Sequence, residues 1–402
     1  VSGATLPGDP DVEVEALTGQ ARAILHAHWR EPGFCVPNAT TYPWQWLWDS
    51  CFHAVCWAHL GEGDRAVSEL SNLFAHQSDD GFVPHMTYWQ DGTTHATFWG
   101  RPGTSAITQP PMYGHALAEL HRLGVTVPDQ LVARAGRGLQ YLFATRFRDG
   151  VGPVILHPWE SGCDDSPRWD AWCASPWSFD QWKVVKGELV DSLTGADGSS
   201  LAADGSPGGN TRFEVTSAGF AALVAFNALE LAVITDDDRL RSEAGAVADG
   251  LDRRWDPTRS TWTDLVVVGP DATAGVRTLD ALLPVLVSAD SAAVSRAFTV
   301  IDDDGGFGGR FGPAATHRAE PSFDPGAYWR GPAWPHLTYL LWVAATRRGL
   351  DLVAAGLRRR LLAGAGCSGF AEYWQPDTGA GLGAVPQSWA ALAAVVAQAP
   401  RA

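Results

Sequence analysis

Apolar residues recur along the chain mostly at the three- and four-residue intervals of a helix. Alternation at every second residue, the mark of a strand, is confined to short pieces such as Thr261–Val268. With Gly, Pro and Asp taken as stops, the pattern predicts helices over residues 12–30, 49–60, 64–77, 110–123, 129–147, 214–234, 237–254, 278–287, 290–300, 330–348, 351–363 and 386–399.

The links between these helices alternate in length. Short links follow residues 60, 123, 234, 287 and 348, and long links span 31–48, 78–109, 148–213, 255–277, 301–329 and 364–385. A short link folds two helices into an antiparallel hairpin. Alternation therefore brings all the long loops to one face. The expected fold is all-α: one (α/α)6 barrel over residues 1–402, with six inner and six outer helices. Loops 78–109 and 148–213 are expected to form a cap over the cleft. An open α-solenoid would share the short links but would not need six long loops rich in Trp, Gly and Pro. The stretch 192–210 reads as a flexible loop rather than a boundary. Each long loop leads into the N-terminus of an inner helix, where unpaired N–H groups carry partial positive charge. Six such ends around one cleft would favour an anionic group on the ligand.

Composition narrows the function classes. With 46% hydrophobic residues among 402, the chain can bury a large core. A net charge of -16 argues against nucleic acid and anionic membrane as partners. No charge-free apolar stretch of about 18 residues appears, so no membrane span is expected. The first residues lack the basic and apolar segments of a signal peptide. The six cysteines form no Cys-x-x-Cys pair and read as buried free thiols of a cytoplasmic protein. Tryptophan is abundant, at 19 residues. Some would be core; others would be flat platforms for a sugar, with the indole N–H reaching a hydroxyl. There is no Gly-x-Ser-x-Gly, Walker loop, dinucleotide fingerprint or His-Glu-x-x-His. His85, His95 and His115 match no zinc spacing, so they read as structural, and no metal or cofactor is expected.

Candidate chemistry gathers in the long loops. Loop 31–48 ends in Tyr42-Pro43-Trp44-Gln45-Trp46-Leu47-Trp48, followed by Asp49 at a helix start. An Asp beside aromatic rings suits sugar binding, and it equally suits an N-cap beside core tryptophans. Loop 148–213 carries Glu160, Asp164 and Asp165 within a few residues. Adjacent carboxylates raise one another's pKa and can keep one protonated as a general acid. A solvated acidic turn is the alternative; a calcium loop lacks the ligand spacing. Tyr328-Trp329-Arg330 ends loop 301–329, where Arg330 would either orient a ligand group or pack on an aromatic face. In loop 364–385, Glu372 stands beside Tyr373 and Trp374, and Gln387-Ser388-Trp389 opens the next helix. Glu372 is the natural partner for Asp164.

Taken together, these segments resemble glycoside hydrolase family 63, in its bacterial branch of mannosylglycerate and glucosylglycerate hydrolases. The carriers are Trp46-Leu47-Trp48-Asp49, Glu160-Ser161-Gly162-Cys163-Asp164-Asp165-Ser166-Pro167-Arg168-Trp169-Asp170, Tyr328-Trp329-Arg330-Gly331-Pro332-Ala333-Trp334, and Glu372-Tyr373-Trp374 with Gly381-Leu382-Gly383-Ala384 and Gln387-Ser388-Trp389. The resemblance implies an (α/α)6 barrel and an inverting reaction, with Asp164 as general acid and Glu372 as general base. It places Trp46, Trp48 and Asp49 in the sugar subsite, and Glu160, Arg330 and Trp389 are expected as further substrate contacts. For a glycerate carboxylate it implies Tyr42, Tyr88, Gln109, Arg212, Tyr328, Trp329 and Gln387. Two departures stand out: Val215-Thr216-Ser217-Ala218 follows Arg212 where the family often has Asp-Pro and Asn, and Asp165 replaces the Asn of the family's Asp-Asn pair. An α-glucosidase for neutral oligosaccharides would differ only in the aglycone pocket. A sugar epimerase on this fold would need paired histidines, which the inner helices lack. A sugar-binding protein without catalysis would not need both Asp164 and Glu372.

Overall fold

The structure is a computed structural model that describes residues 10–148, 150, 152–173, 177–270 and 275–398. Its α-helices in chain order are α1 (Pro10–His28), α2 (Leu47–His59), α3 (Gly63–Leu73), α4 (Ala96–Trp99), α5 (Tyr113–Arg122), α6 (Asp129–Thr145), α7 (Phe179–Asp191), α8 (Ala218–Thr235), α9 (Asp238–Asp252), α10 (Ser291–Asp302), α11 (Pro335–Arg347), α12 (Asp351–Ser368) and α13 (Leu392–Ala397). The inner ring runs α2, α5, α8, a 3-10 helix at Asp280–Leu286, α11 and α13. Each of these packs on the next, and α13 packs on α2, so the ring closes. Outside it lie α3 on α2, α6 against α5 and α8, α9 on α8, α10 on Asp280–Leu286, α12 on α11 and α1 on α13. This is the (α/α)6 barrel that the link lengths predict. Strands are short two-stranded pairs in the connections, such as Gln45–Trp46 with Met86–Thr87.

Local chemistry explains the elements. Helix α9 begins where the Asp237 carboxylate accepts the N–H groups of Arg239 and Leu240, at 2.9 and 3.1 Å. Asp290 does the same for α10. Such caps are worth about 1 kcal/mol each. Helix α8 is long and apolar enough, by length and composition alone, to cross a membrane. It is instead a core helix, buried by α5, α9 and Asp280–Leu286.

Several elements differ from expectation. The segment at 278–287 is 3-10 rather than α-helical, because Pro284 inside it supplies no N–H for a longer helical ladder. The segment at 386–399 starts as a 3-10 turn, Ser388–Ala391, before α13. Helix α7 lies in the middle of loop 148–213. Ser178 caps it, accepting the Gln181 N–H at 3.3 Å, and Trp182, Lys186, Leu189 and Val190 form its buried stripe. The two long inserts touch each other where α4 packs on α7.

Candidate active site

A cavity of about 290 Å³ opens where the long connections meet the inner helices. Loop 31–48 and the first turn of α2 give it Tyr42, Trp46, Trp48 and Asp49; the segment before α5 gives Gln109. The 3-10 turn at Pro158–Ser161 and the residues after it give Trp159, Gly162 and Asp164. Tyr328 and Trp329 come from before α11, and Glu372, Gln387 and Trp389 from before α13. Five of the six connections thus converge on one space.

The aromatic walls are held by specific contacts. Gly162 has φ +76°, and a Cβ there would stand 2.3 Å from the Trp48 ring, so only glycine lets the acidic loop close on that indole. Trp329 adopts a left-handed φ of 59° and is kept there by a face-to-face stack on Trp334, with centroids 3.7 Å apart. The indole N–H groups of Trp46 and Trp329 are buried without a protein acceptor. Sugar hydroxyls are suitable acceptors for both.

Glu372 lines the cavity and is held by three donors. Its carboxylate accepts the Ala384 N–H at 2.9 Å on Oε2, and the hydroxyls of Tyr42 and Tyr328 at 3.0 and 3.3 Å on Oε1. A Cβ on Gly383 would come within 2.4 Å of Oε2, so that turn also needs glycine. Burial raises the Glu372 pKa above the usual carboxylate range, and the Ala384, Tyr42 and Tyr328 hydrogen bonds oppose the rise. Asp49 is buried nearby, and burial with the Glu372 charge pushes its carboxyl well up.

Asp164 lines the same cavity. Its Oδ2 accepts the Trp159 indole N–H at 3.1 Å and Lys186 Nζ at 2.8 Å. The Trp182 indole N–H donates to its backbone carbonyl at 2.8 Å. The structure thus brings Asp164 and Glu372 to one cavity, one held by a cation and the other by neutral donors.

Four expected substrate contacts lie elsewhere. Glu160 is fully buried and bonded to Arg146 at 2.7 and 2.9 Å. It also accepts the N–H groups of Thr108 and Leu156, so it braces the loop. Tyr88 is buried behind the cavity wall, its hydroxyl accepting the Trp99 indole N–H at 2.7 Å. Arg212 pairs with Glu188 at 3.0 Å, and both are half exposed. Arg330 lies 3.5 Å over the Trp177 ring and forks onto Asp170, which makes it scaffolding. The remaining residues expected in the substrate site, Tyr42, Trp46, Trp48, Asp49, Gln109, Tyr328, Trp329, Gln387 and Trp389, all line the cavity.

Sequence reasoning missed Trp159 and Lys186. Lys186 had one signal: the chain has only two lysines, Lys183 and Lys186, both in the unrecognised α7. Of the histidines, His85 bonds Ser105 at 2.6 Å, and His115 bonds Glu230 and Tyr339 at 3.1 and 2.8 Å. His115, Glu119 and Glu230 lie close enough to share a cation, but Arg122 and Arg347 already pair with both carboxylates.

An (α/α)6 barrel whose aromatic cavity is lined by the carboxyl groups of Asp49, Asp164 and Glu372 has the parts of a glycoside hydrolase. The model of the mannosylglycerate hydrolase MGH1-like glycoside hydrolase domain matches residues 42–390, and this chain belongs to that family. The mannosylglycerate hydrolase of Thermus thermophilus is 30% identical, over 90% of this chain and 96% of its own length. The glucosylglycerate hydrolase of Mycolicibacterium hassiacum is 28% identical, over 96% and 99%. The crystal structure of a GH63 mannosylglycerate hydrolase from Thermus thermophilus in complex with Tris and D-glycerate superposes with a TM-score of 0.77. It is 27% identical, covering 94% of this chain and 99% of that one.

Proposed function

We propose that this glycoside hydrolase cleaves α-mannosylglycerate or α-glucosylglycerate with inversion, Asp164 acting as general acid and Glu372 as general base. The observation that carries the reading is the pair of differently held carboxyl groups facing one aromatic cavity. Asp164 protonates the glycosidic oxygen. Glu372 takes a proton from the water that attacks the opposite sugar face. A single displacement of this kind needs about 6.5–9.5 Å between the carboxyl groups, enough for that water. Trp46, Trp48 and Asp49 hold the sugar, and Tyr42, Gln109, Tyr328 and Gln387 take the glycerate end. Inserts 78–109 and 148–213 cap the cleft. Support for glycerate comes from the relatives' names and from the D-glycerate complex. The six free cysteines suit a cytoplasmic protein.

One observation favours a neutral aglycone instead. The charged groups lining the cavity are carboxyls: Asp49, Asp164 and Glu372. Arg212 is turned to Glu188 at the surface. Proton NMR with α-mannosylglycerate, α-glucosylglycerate and a neutral α-disaccharide, read within minutes, separates the readings. The β-anomer released from a glycerate substrate is the expected result. Cleavage of the neutral sugar alone would replace the aglycone assignment, and initial α-anomer would overturn inversion.

A further inference from the structure

The buried side of the Asp164 loop holds a charge imbalance. Lys186 Nζ lies 2.8 Å from Asp164 Oδ2 and 2.5 Å from Asp165 Oδ1. One ammonium thus faces two carboxyl groups, and the three side chains are only 10, 15 and 12% exposed for Lys186, Asp164 and Asp165. With both carboxyls ionised, the cluster keeps a net negative charge where water screens it poorly. With one proton shared between them it is neutral.

The neighbours do not change that balance. His157, whose ring bonds the Lys186 carbonyl at 2.9 Å, is brought down to about 3 by burial, so it stays neutral near pH 7. Burial and nearby carboxylates push the Tyr42, Tyr328, Tyr373 and Cys163 protons upward, and these groups are neutral too. Cys173 is likewise raised, and the Arg330 charge behind it is met by Asp170. Glu372 lines the same cavity as Asp164. The Trp159 and Trp182 rings lie under the ammonium at 5.5 and 5.9 Å.

We propose that Asp165 and Lys186 are positioning residues that keep one proton on the Asp164–Asp165 pair at neutral pH, for delivery to the substrate by Asp164. The inference rests on Asp164 being the general acid. Lys186 and Trp159 both donate to Asp164 Oδ2. Two donors on one oxygen suit a carboxylate, and a lone carboxylate has no proton to give. Asp165 brings a second carboxyl group to the same ammonium, so the three groups are neutral together only with one proton on the pair. Burial and the Asp164 charge raise Asp165 to about 7 against the pull of Lys186. Burial opposes the Lys186 charge, but the two carboxylates outweigh it and keep the ammonium protonated.

The step balances. The proton leaves the pair through Asp164 as the C1–O bond breaks and goes to the departing oxygen. The water oxygen bonds to C1 and its proton passes to Glu372. Glu372 then releases that proton to solvent, and the pair takes one up.

The test is the pH dependence of kcat/KM, whose basic limb reports the free enzyme's acid. Asp165→Asn is expected to move that limb down by about one pH unit or more, because Lys186 then faces a lone carboxyl. Lys186→Met is expected to move it up. Both variants should hydrolyse the matching α-glycosyl fluoride within a few-fold of wild type, since fluoride leaves with little protonation, whereas a merely structural role would lower both substrates alike. A limb that stays in place, or that moves the same way in both variants, overturns the inference. Should Lys186→Met not fold, Lys186→Arg, which keeps the cation, must leave the limb unmoved. Asp164→Asn separates the two levels. If it still cleaves the glycoside at the wild-type rate, the general-acid reading itself fails. If it is inactive while Asp165→Asn leaves the limb unmoved, only the proton-sharing role fails.

Discussion

The two ends of the inner helices treat buried carboxylates in opposite ways. In the C-terminal halves of α5 and α8, Glu119 and Glu230 are surrounded by Arg122, Arg347, His115 and His59. Burial alone would raise Glu119, but the His59 hydrogen bond and the His115 and Arg122 charges outweigh it and bring the group to about 2. Glu230 is lowered too, burial again being outweighed by His115 and Arg347. At the N-terminal end, burial wins: Glu372 and Asp49 are raised, with backbone and phenol donors in place of guanidinium. A carboxylate clamped by arginine cannot trade protons near neutrality; one held by neutral donors can. The comparison separates the arginine-clamped pair Glu119 and Glu230 from Glu372 without reference to sequence position.

The sharpest way to break the comparison is to neutralise the two cavity carboxyl groups assigned to the chemistry. Glu372→Gln and Asp164→Asn should each lower kcat by about 10²–10⁴-fold, the usual worth of a general acid or base. Thermal unfolding should stay at or above the wild-type temperature, since each change relieves a buried charge or leaves its donors paired. A large fall in melting temperature in either variant would place that residue with the scaffold.

Next in size is the scaffold itself. Glu160 stands four residues before Asp164, yet both it and Arg146 are fully enclosed. Glu160→Gln leaves the Arg146 charge unpaired and should cost about 3–5 kcal/mol of stability, read by urea unfolding. Glu230→Gln should cost less, because Arg122 and Arg347 remain 41 and 32% exposed and water screens them. Molecules of either variant that remain folded should keep the wild-type kcat. A lost kcat in folded Glu160→Gln would return that residue to the substrate site.

How much of this was legible follows from the kind of signal. The barrel was, because link length alone decides which helices pair, and six long links leave one consistent face. The carboxyl pair and most of the aromatic wall were legible because they sit in short motifs at the starts of inner helices. The roles of Glu160 and Arg330 were not. Both stand in the same motifs as cavity residues, and only the fold shows that Arg146 and Asp170 face them. Tyr88 was implied by the resemblance alone, and one position in an irregular loop separates a cavity wall from the layer behind it. Lys186 was hidden because α7 interrupts a loop whose Gly, Pro and Ser content masks the helical stripe at 182, 186, 189 and 190. Its ion pairs span 21 and 22 residues, a range no local pattern encodes.

The smallest effect sharpens the neutral-donor side. Tyr42 and Tyr328 both donate to Glu372 Oε1, and each bond stabilises the ionised base. Burial already holds Glu372 above the usual carboxylate range. Removing one phenol in Tyr42→Phe must therefore raise it further. Because the base works only when ionised, activity falls as pH drops through this pKa, so the acid limb of kcat/KM should shift to higher pH. About half a pH unit to one unit is expected for one neutral hydrogen bond, with the basic limb unmoved. Tyr328→Phe should shift it the same way but less, its bond being longer by 0.3 Å (3.3 against 3.0 Å). If instead the acid limb fell, Tyr42 would be acting on the ionised base as a burden rather than a donor, and the contrast between the two ends of the barrel would lose its physical basis. An unmoved limb with a raised KM would assign Tyr42 to the substrate alone.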